Sequence, residues 1–490
     1  MRNKPLFNYP LVISIVGILL MINCVFMLFC LPFSFYFGDH DWLSILFASL
    51  INGGVGASAF FYFKQHALTR ELKKKDGYMI VTVGWLMVSF FGSLPYLISG
   101  EIPTLTDAFF ETLSGFSTTG ASILTDIEAV GKGILLWRSM TQWIGGMGII
   151  VLTVAILPIL GIGGMQLFVA EAPGISPDKL QPRIKETAKR LWWVYLILTC
   201  VETILLMFGG MTFYDALNHA LTTMATGGFS TKNSSAAEMT PYIQYVLIVF
   251  MFMAGCNFTL NYYAFKGRFK EIIQNEEFKY YAGLVVISTM ILTVVVYYQL
   301  PEIGVEQSFR DVLFQTLSII TTTGYVSADY TAWLPFVTMW IFLLMFVGAM
   351  AGSTAGGVKI VRHIILQKNS FLELKRQLHP SAIIPVRFNG NAVSPNITYN
   401  VLAFIITYFF IYAVGVLIMS IIGLDFLTAL GSVATCLGNI GPGLGSVGPV
   451  DNFAHLPGVA KWVLSALMLL GRLELFTVLI IFTPYFWRRI

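Results

Sequence analysis

Charged side chains are what this chain has least of. Asp, Glu, Lys and Arg make up 11% of its 490 residues, where an average soluble domain carries about 25%, so an ordinary water-facing surface is excluded. Cysteine is almost as scarce. The five present (Cys24, Cys30, Cys200, Cys256, Cys436) lie in or beside apolar runs, without the paired spacings of a zinc site or a secreted disulfide framework, and they are given no redox role. Neither GxxxxGK[S/T] nor HExxH occurs, and no acid–base pair stands at a suggestive spacing, so the chain is not read as an enzyme and needs no covalently bound cofactor. Gly443-Leu-Gly-Ser-Val-Gly448 fits GxGxxG in form, but no strand precedes it and it reads as an external turn. The net charge of +4 is mild and its basic residues are scattered through loops, which argues against a nucleic-acid partner.

What is there instead is apolar. The hydrophobic fraction is 56% and the mean hydropathy +0.74, in runs close to the roughly 20 residues that a bilayer-crossing helix needs. These runs are long and continuous, not ten-residue alternating strands, so the expected class is an all-α polytopic membrane protein with the lipid bilayer as its solvent. Ten spanning helices are expected, near residues 11–33, 42–64, 78–99, 134–158, 191–210, 241–264, 280–300, 335–357, 397–422 and 457–483. Four shorter, half-polar stretches between them have the profile of re-entrant half-helices. With the N-terminus inside, Arg2, Lys4, Lys73 to Lys75, Lys179 to Arg190, Lys266 to Lys279, Lys359 to Arg387 and Arg488-Arg489 share one face. That leaves Lys132, Arg138, Lys232, Arg310 and Lys461 outside, and Arg472 within a helix. The positive-inside rule then makes both termini cytoplasmic.

The four short stretches share a plan. Asp107-Ala-Phe-Phe-Glu-Thr leads to Ser117-Thr118-Thr119-Gly120, and Asp215-Ala-Leu-Asn-His-Ala to Thr226-Gly227-Gly228. Asp311-Val-Leu-Phe-Gln-Thr leads to Thr321-Thr322-Thr323-Gly324, and Asp425-Phe-Leu-Thr-Ala-Leu to Cys436-Leu437-Gly438-Asn439. In each, a glycine falls 13 residues after the aspartate (107 to 120, 215 to 228, 311 to 324, 425 to 438), which marks an internal repeat. An aspartate at the start of a half-helix accepts from free backbone N–H groups and complements the positive dipole end. At the other end, small residues and a glycine able to adopt positive φ let carbonyls turn toward an axis. One Ser/Thr-Thr-Gly alone is an ordinary helix C-cap. Four in register make a ring of carbonyl and hydroxyl oxygens able to replace the hydration shell of a monovalent cation. The chain divides accordingly into an N-terminal two-helix unit (1–76) and four pore repeats (77–160, 161–265, 266–363 and 364–490), the second and fourth beginning with cytoplasmic segments.

These four units resemble the Trk/Ktr/HKT superfamily, in which one chain holds four two-helix pore domains around a single permeation path. Gln142-Trp-Ile-Gly-Gly-Met-Gly148, Leu160-Gly-Ile-Gly-Gly-Met-Gln166, Ala225-Thr-Gly-Gly-Phe-Ser230 and Asn439-Ile-Gly-Pro-Gly443 resemble the bacterial TrkH-type branch. The two helices before residue 65 match that branch's extra N-terminal pair. The resemblance implies potassium uptake across the bacterial inner membrane, with potassium ions in the pore, a homodimer, and a cytoplasmic nucleotide-binding regulatory subunit of TrkA type. Gly120 stands where sodium-selective plant relatives tend to carry serine, which favours potassium. Gly438 stands where several bacterial TrkH sequences have asparagine.

Two further features acquire roles through that resemblance. The tract Val347-Gly348-Ala-Met-Ala-Gly352-Ser353-Thr354-Ala-Gly356-Gly357-Val358-Lys359 holds four glycines, each costing roughly 1 kcal/mol of helix propensity relative to Ala. It reads either as close helix packing through a GxxxG-like face or as a mobile loop gating the pore. Arg472, read as mid-helix, must face water or a partner; it is either one member of a structural ion pair or a cationic barrier below the filter. A symporter coupling potassium to protons or sodium is the rival reading, with Glu111, Glu202 and Glu474 as its candidates.

Overall fold

The computed structural model describes residues 8–67, 74–156, 184–379, 382 and 384–488. The Leu160–Gln166 motif, the basic residues Arg2, Lys4, Lys73, Lys179, Arg183 and Arg489, and the 160/161 unit boundary lie outside them.

An N-terminal hairpin opens the chain. Helix α1 (Tyr9–Phe37) starts where the Asn8 side chain accepts from Leu11 N and ends at Gly38, whose φ of 73° is the left-handed stop expected of a C-terminal glycine. Helix α2 (Trp42–Ala67) returns against it. The two backbones touch at a glycine pair: a Cβ on Gly17 would lie 2.6 Å from Gly56 O, and one on Gly56 2.7 Å from Gly17 O. A 3.0 Å hydrogen bond from Asn23 Nδ2 to Asn52 Oδ1 ties the same interface, which is how membrane helices associate without a hydrophobic driving force.

Four helix–half-helix–helix units follow. The first is α3 (Lys74–Gly92) with α4 (Leu94–Ser99), the half-helix α5 (Leu105–Phe116) and α6 (Lys132–Ile156). The second is α7 (Ile184–Phe208), the half-helix α8 (Phe213–Met224), and α9 (Pro241–Gly255) with α10 (Phe258–Phe265). After the short α11 (Phe269–Gln274), the third is α12 (Glu276–Gln299), the half-helix α13 (Gly304–Ile320), and α14 (Pro335–Leu344) with α15 (Ile360–Leu378). A two-stranded antiparallel ribbon, β1 (Arg387–Phe388) and β2 (Asn391–Ala392), leads to the fourth. That unit is α16 (Pro395–Ile422), the half-helix α17 (Phe426–Gly438), and α18 (Gly458–Arg472) with α19 (Phe476–Leu479), before a terminal α20 (Pro484–Trp487). The boundaries expected at 76/77 and 363/364 therefore fall inside α3 and α15.

Not all of the ten expected spans are continuous helices; the break over 335–357 is the one that the four glycines of its tract anticipate. Among the described residues six helices are long and apolar enough to cross a bilayer, and two more spans are bent pairs. The segment 241–264 turns by 113° between α9 and α10, and 457–483 by 109° between α18 and α19. In 335–357 the helix stops at Leu344. The half-helices α5, α8 and α17 have 12, 12 and 13 residues. At 1.5 Å per residue each is about 18–20 Å long, well short of a ~30 Å hydrocarbon core.

The aspartates do not all occupy one place. In α5 and α8 the N-cap is a threonine: Thr104 Oγ1 accepts from Asp107 N and donates to Asp107 Oδ2 (3.2 and 2.7 Å), and Thr212 does the same with Asp215 (3.1 and 2.8 Å). In α17 the pair is exchanged, Asp425 being the cap that accepts from Thr428 N at 3.1 Å. Helix α13 begins at Gly304, so Asp311 lies in its interior. Asp425 thus matches Thr104, not Asp107, and the fourth unit is shifted by three residues from the register read in the sequence. We predict that Asp425→Ala destabilises the protein by about 1 kcal/mol, while exchanging the pair (Asp425→Thr with Thr428→Asp) is tolerated; thermal unfolding in detergent checks both.

Candidate ion pathway

Each half-helix delivers a short non-helical segment from its C-terminal, negative dipole end. Three residues in every segment alternate in backbone hand. Thr118 and Gly120 have φ of 53° and 78°, Thr226 and Gly228 54° and 73°, Thr322 and Gly324 55° and 80°, and Asn439 and Gly441 55° and 102°. The residues between them, Thr119, Gly227, Thr323 and Ile440, are not among those with positive φ. The sequence motif in common is therefore a left-handed Thr or Asn followed two residues later by glycine.

These segments close on one another. A Cβ on Gly120 would overlap Gly227 O, one on Gly228 would overlap Thr323 O, one on Gly324 would overlap Ile440 O, and one on Gly441 would lie 2.8 Å from Thr119 O. Each glycine faces the carbonyl of the equivalent middle residue in the next segment, and the fourth returns to the first. The result is a ring. Among the described residues no group of three or more His, Cys, Asp or Glu could hold a metal ion; the ring's oxygens are neutral carbonyls, hydroxyls and one amide, which suit a dehydrated monovalent cation better than a divalent one.

The fourth segment corrects the sequence reading. Cys436, Leu437 and Gly438 belong to α17, and the segment entering the ring is Asn439-Ile440-Gly441. The physical reason is the exchanged cap: counting from the aspartate misplaces this unit by one helical turn. Counting 14 residues from the cap (104 to 118, 212 to 226, 425 to 439) recovers it.

Braces behind the ring join neighbouring segments, and most of them carry no motif in the sequence. Gln142, on α6, donates to Gly227 O and accepts from Phe229 N (2.7 and 3.1 Å). Arg138, also on α6, pairs with Glu111 at 2.7 Å, reaches Ser230 O at 3.2 Å, and stacks on Phe229 at 3.5 Å. Glu111 in turn accepts from Ile123 N at 2.8 Å. Tyr325 donates to His219 O at 3.1 Å, Tyr330 to Gly443 O at 2.8 Å, and Asn439 Nδ2 to Thr119 Oγ1 at 2.9 Å. Glu111 and Arg138 were visible as charges inside apolar runs, a signal of pairing.

Beneath the ring lies the glycine tract, which has no helix between Leu344 and Ile360. Gly352 and Gly357 have φ of 74° and 66°. Its Gly348–Gly357 stretch is held by three bonds from two sides. Asn257, at the break between α9 and α10, donates to Ala351 O, Glu277 accepts from Ala351 N, and Phe258 N donates to Gly352 O (2.7, 2.7 and 3.1 Å). The tract then touches three half-helix ends: Thr354 Oγ1 donates to Met224 O (3.0 Å), Gly356 N donates to Thr322 Oγ1 (2.7 Å), and a Cβ on Gly356 would lie 2.7 Å from Gly438 O. Ser353 caps back on Met350 O at 2.6 Å.

Arg472 is not mid-helix. It is the last residue of α18, where a cation is favoured by the dipole, and its guanidinium donates to Thr354 O at 2.8 Å, Gly146 O at 3.2 Å and Gly145 O. It therefore links the fourth unit, the glycine tract and the first unit under the ring. Glu474, the acid two residues on, pairs with Arg362 of α15. The first and fourth units break alike: Gly145 and Gly471 abut the carbonyls of Phe116 and Leu437, and three residues later Gly148 and Glu474 have φ of 71° and 54°.

A polytopic helical membrane protein with four re-entrant segments closing a ring of neutral oxygens is a cation transporter in its architecture. The chain belongs to the TrkH family of cation transport proteins, whose family model matches residues 48–488. It is therefore a transport protein and not an enzyme. It is 42% identical over 427 residues to the Trk system potassium uptake protein TrkH of Escherichia coli strain K12, covering 85% of this chain and 87% of that one. With the TrkH of Halomonas elongata it shares 38% identity over 493 residues, covering 98% and 99%. The crystal structure of the potassium transporter TrkH from Vibrio parahaemolyticus superposes with a TM-score of 0.88 at 36% identity, covering 98% of this chain and 100% of that one.

The register makes a sharp prediction. Gly441→Ala places a methyl group against Thr119 O at a left-handed position and should abolish most cation uptake. Gly438→Ala meets only the flexible Ile440 side chain and Met345 O at 3.0–3.3 Å and should retain uptake; rubidium uptake per folded molecule distinguishes them.

Proposed function

We propose that this chain conducts potassium across the bacterial inner membrane through the four-segment ring, and that the 348–357 tract gates the path from below. The observation that carries this reading is the closed cycle in which each ring glycine meets the next segment's carbonyl. Relatives that span nearly the whole chain are named for potassium uptake, which supports potassium as the cargo. In this reading both termini are cytoplasmic, the protein works as a homodimer, and a cytoplasmic nucleotide-binding subunit of TrkA type controls the gate. Channel-like flux is favoured over proton or sodium symport because two of the three candidate acids have structural partners, Glu111 with Arg138 and Glu474 with Arg362, while neither carboxyl oxygen of the third, Glu202, makes a hydrogen bond among the described residues. Glu202 is fully buried on α7.

Arg472 acts as the barrier. A unit charge and a passing cation about 4 Å apart repel by ~4 kcal/mol at an effective dielectric of 20, and its bonds to Thr354 O and Gly146 O hold it under the ring. The test is rubidium uptake into proteoliposomes, competed by potassium and not by sodium. An imposed proton or sodium gradient that drives uptake against the potassium gradient would overturn the channel reading. Arg472→Ala should raise uptake several-fold with an unchanged potassium-to-sodium ratio; a fall in both stability and uptake per folded molecule would make Arg472 a structural tie instead.

A further inference from the structure

Glu202 is the acid that the braces around the ring do not use. It is fully buried on α7, on the same face as Tyr195 two turns earlier. Neither of its carboxyl oxygens makes a hydrogen bond, and among the described residues no charged side chain acts on it. Glu111 and Glu474 differ in this, since each holds an arginine. The polar side chain beside Glu202 is that of Thr223, the last residue but one of the half-helix α8. Two phenols, Tyr195 and Tyr325, are also within electrostatic reach of it.

Thr223 can meet an acid in one way only. Its hydroxyl proton is taken by His219 O at 2.7 Å, one turn back on α8, with the Tyr325 hydroxyl 3.3 Å away, so Thr223 has lone pairs to offer Glu202. An ionised carboxylate also has only lone pairs to offer, and burying one without a donor costs far more than burying the neutral acid. A neutral carboxyl carries the missing proton. The cluster it completes stands behind one joint of the ring. Thr223 O accepts from Thr226 N at 2.8 Å, where the second segment begins. Tyr325 follows Gly324 of the third segment, and its hydroxyl bonds to Thr222 Oγ1 and donates to His219 O at 3.1 Å. At the same joint Gly228 abuts Thr323 O.

We infer that Glu202 is a positioning residue that carries its proton: its O–H donates to Thr223 Oγ1 and fixes the joint between the second and third segments from behind. The proton stays on the carboxyl and does not travel with the cation, which separates this role from symport. Its effect on transport rests on the conduction reading above; its protonated state does not. Without the donor, Thr223 and Tyr325 are free to turn. The spacing of the second and third segments then spreads, and discrimination between cations of different size depends on that spacing.

Infrared difference spectroscopy on the full chain in lipid tests the protonated state directly. The spectrum of the wild type minus that of Glu202→Gln, at neutral pH, should contain the carbonyl band of an un-ionised carboxylic acid. The paired bands of a carboxylate in its place would overturn the inference. The positioning role is read from rubidium uptake into proteoliposomes, competed by potassium and by sodium. Glu202→Leu removes the donor and leaves no buried acid behind, so it should unfold at the wild-type temperature or above. Its preference for potassium over sodium should fall about fivefold, the scale of one neutral hydrogen bond. Glu202→Gln, whose amide N–H can still donate to Thr223, should keep the preference. A stable Glu202→Leu with the wild-type preference, or a Glu202→Gln as impaired as Glu202→Leu, would refute the positioning role. A wild type that takes up no rubidium would instead overturn the conduction reading, whatever the infrared spectrum shows.

Discussion

Backbone that leaves a helix inside a membrane must find partners within the protein, because lipid offers none. Four segments of this chain leave their helices at the same depth, and their mutual closure is the constraint on which the rest depends. The glycine of each segment sits against a carbonyl of the next, in the order first, second, third, fourth and back to the first. No segment can move alone without opening a gap on one side and a clash on the other. The outer braces serve this closure. Gln142 satisfies both Gly227 O and Phe229 N, and Asn439 ties the fourth segment to Thr119 of the first. Each such bond contributes only about 1 kcal/mol net, but leaving its buried group unsatisfied costs more, so the set holds one geometry.

The same closure explains what lies beneath. Half-helix C-termini present unsatisfied carbonyls and negative dipole ends at the centre. Donors therefore collect there: Thr354 Oγ1 on Met224 O, Gly356 N on Thr322 Oγ1, and the Arg472 guanidinium on Thr354 O and Gly146 O. To admit them, the second helix breaks in every unit: at Gly148, between α9 and α10, from Leu344 to Ile360, and after Arg472. A continuous helix at any of these places would have kept its own N–H groups and offered nothing to the ring.

Much of this was legible in the sequence, for definite reasons. Scarce charge and long apolar runs reveal a membrane fold because bilayer thickness fixes run length, and three of the four ring segments could be found because threonine and glycine are tied to positive φ and close approach. Arg472 stood out because an arginine in an apolar run demands a partner. The fourth segment was misplaced because aspartate and threonine are interchangeable caps: Asp425 caps α17 where Thr104 and Thr212 cap α5 and α8, and an alignment on aspartate cannot see the exchange. The helix breaks were missed for a similar reason. Hydropathy averages over 241–264 and 457–483 and is blind to a turn of 113° or 109° at a point. Braces such as Gln142 and Tyr325 join residues far apart in the chain, so no local pattern announces them.

Everything above requires that Gly120, Gly228, Gly324 and Gly441 encircle one cation path. Anomalous diffraction from crystals of this protein grown in rubidium or thallium salts tests it without recourse to flux. Anomalous peaks are expected on the axis enclosed by those four glycines, level with Thr119, Gly227, Thr323 and Ile440. Well-ordered crystals with strong anomalous peaks elsewhere and none within the ring would contradict it.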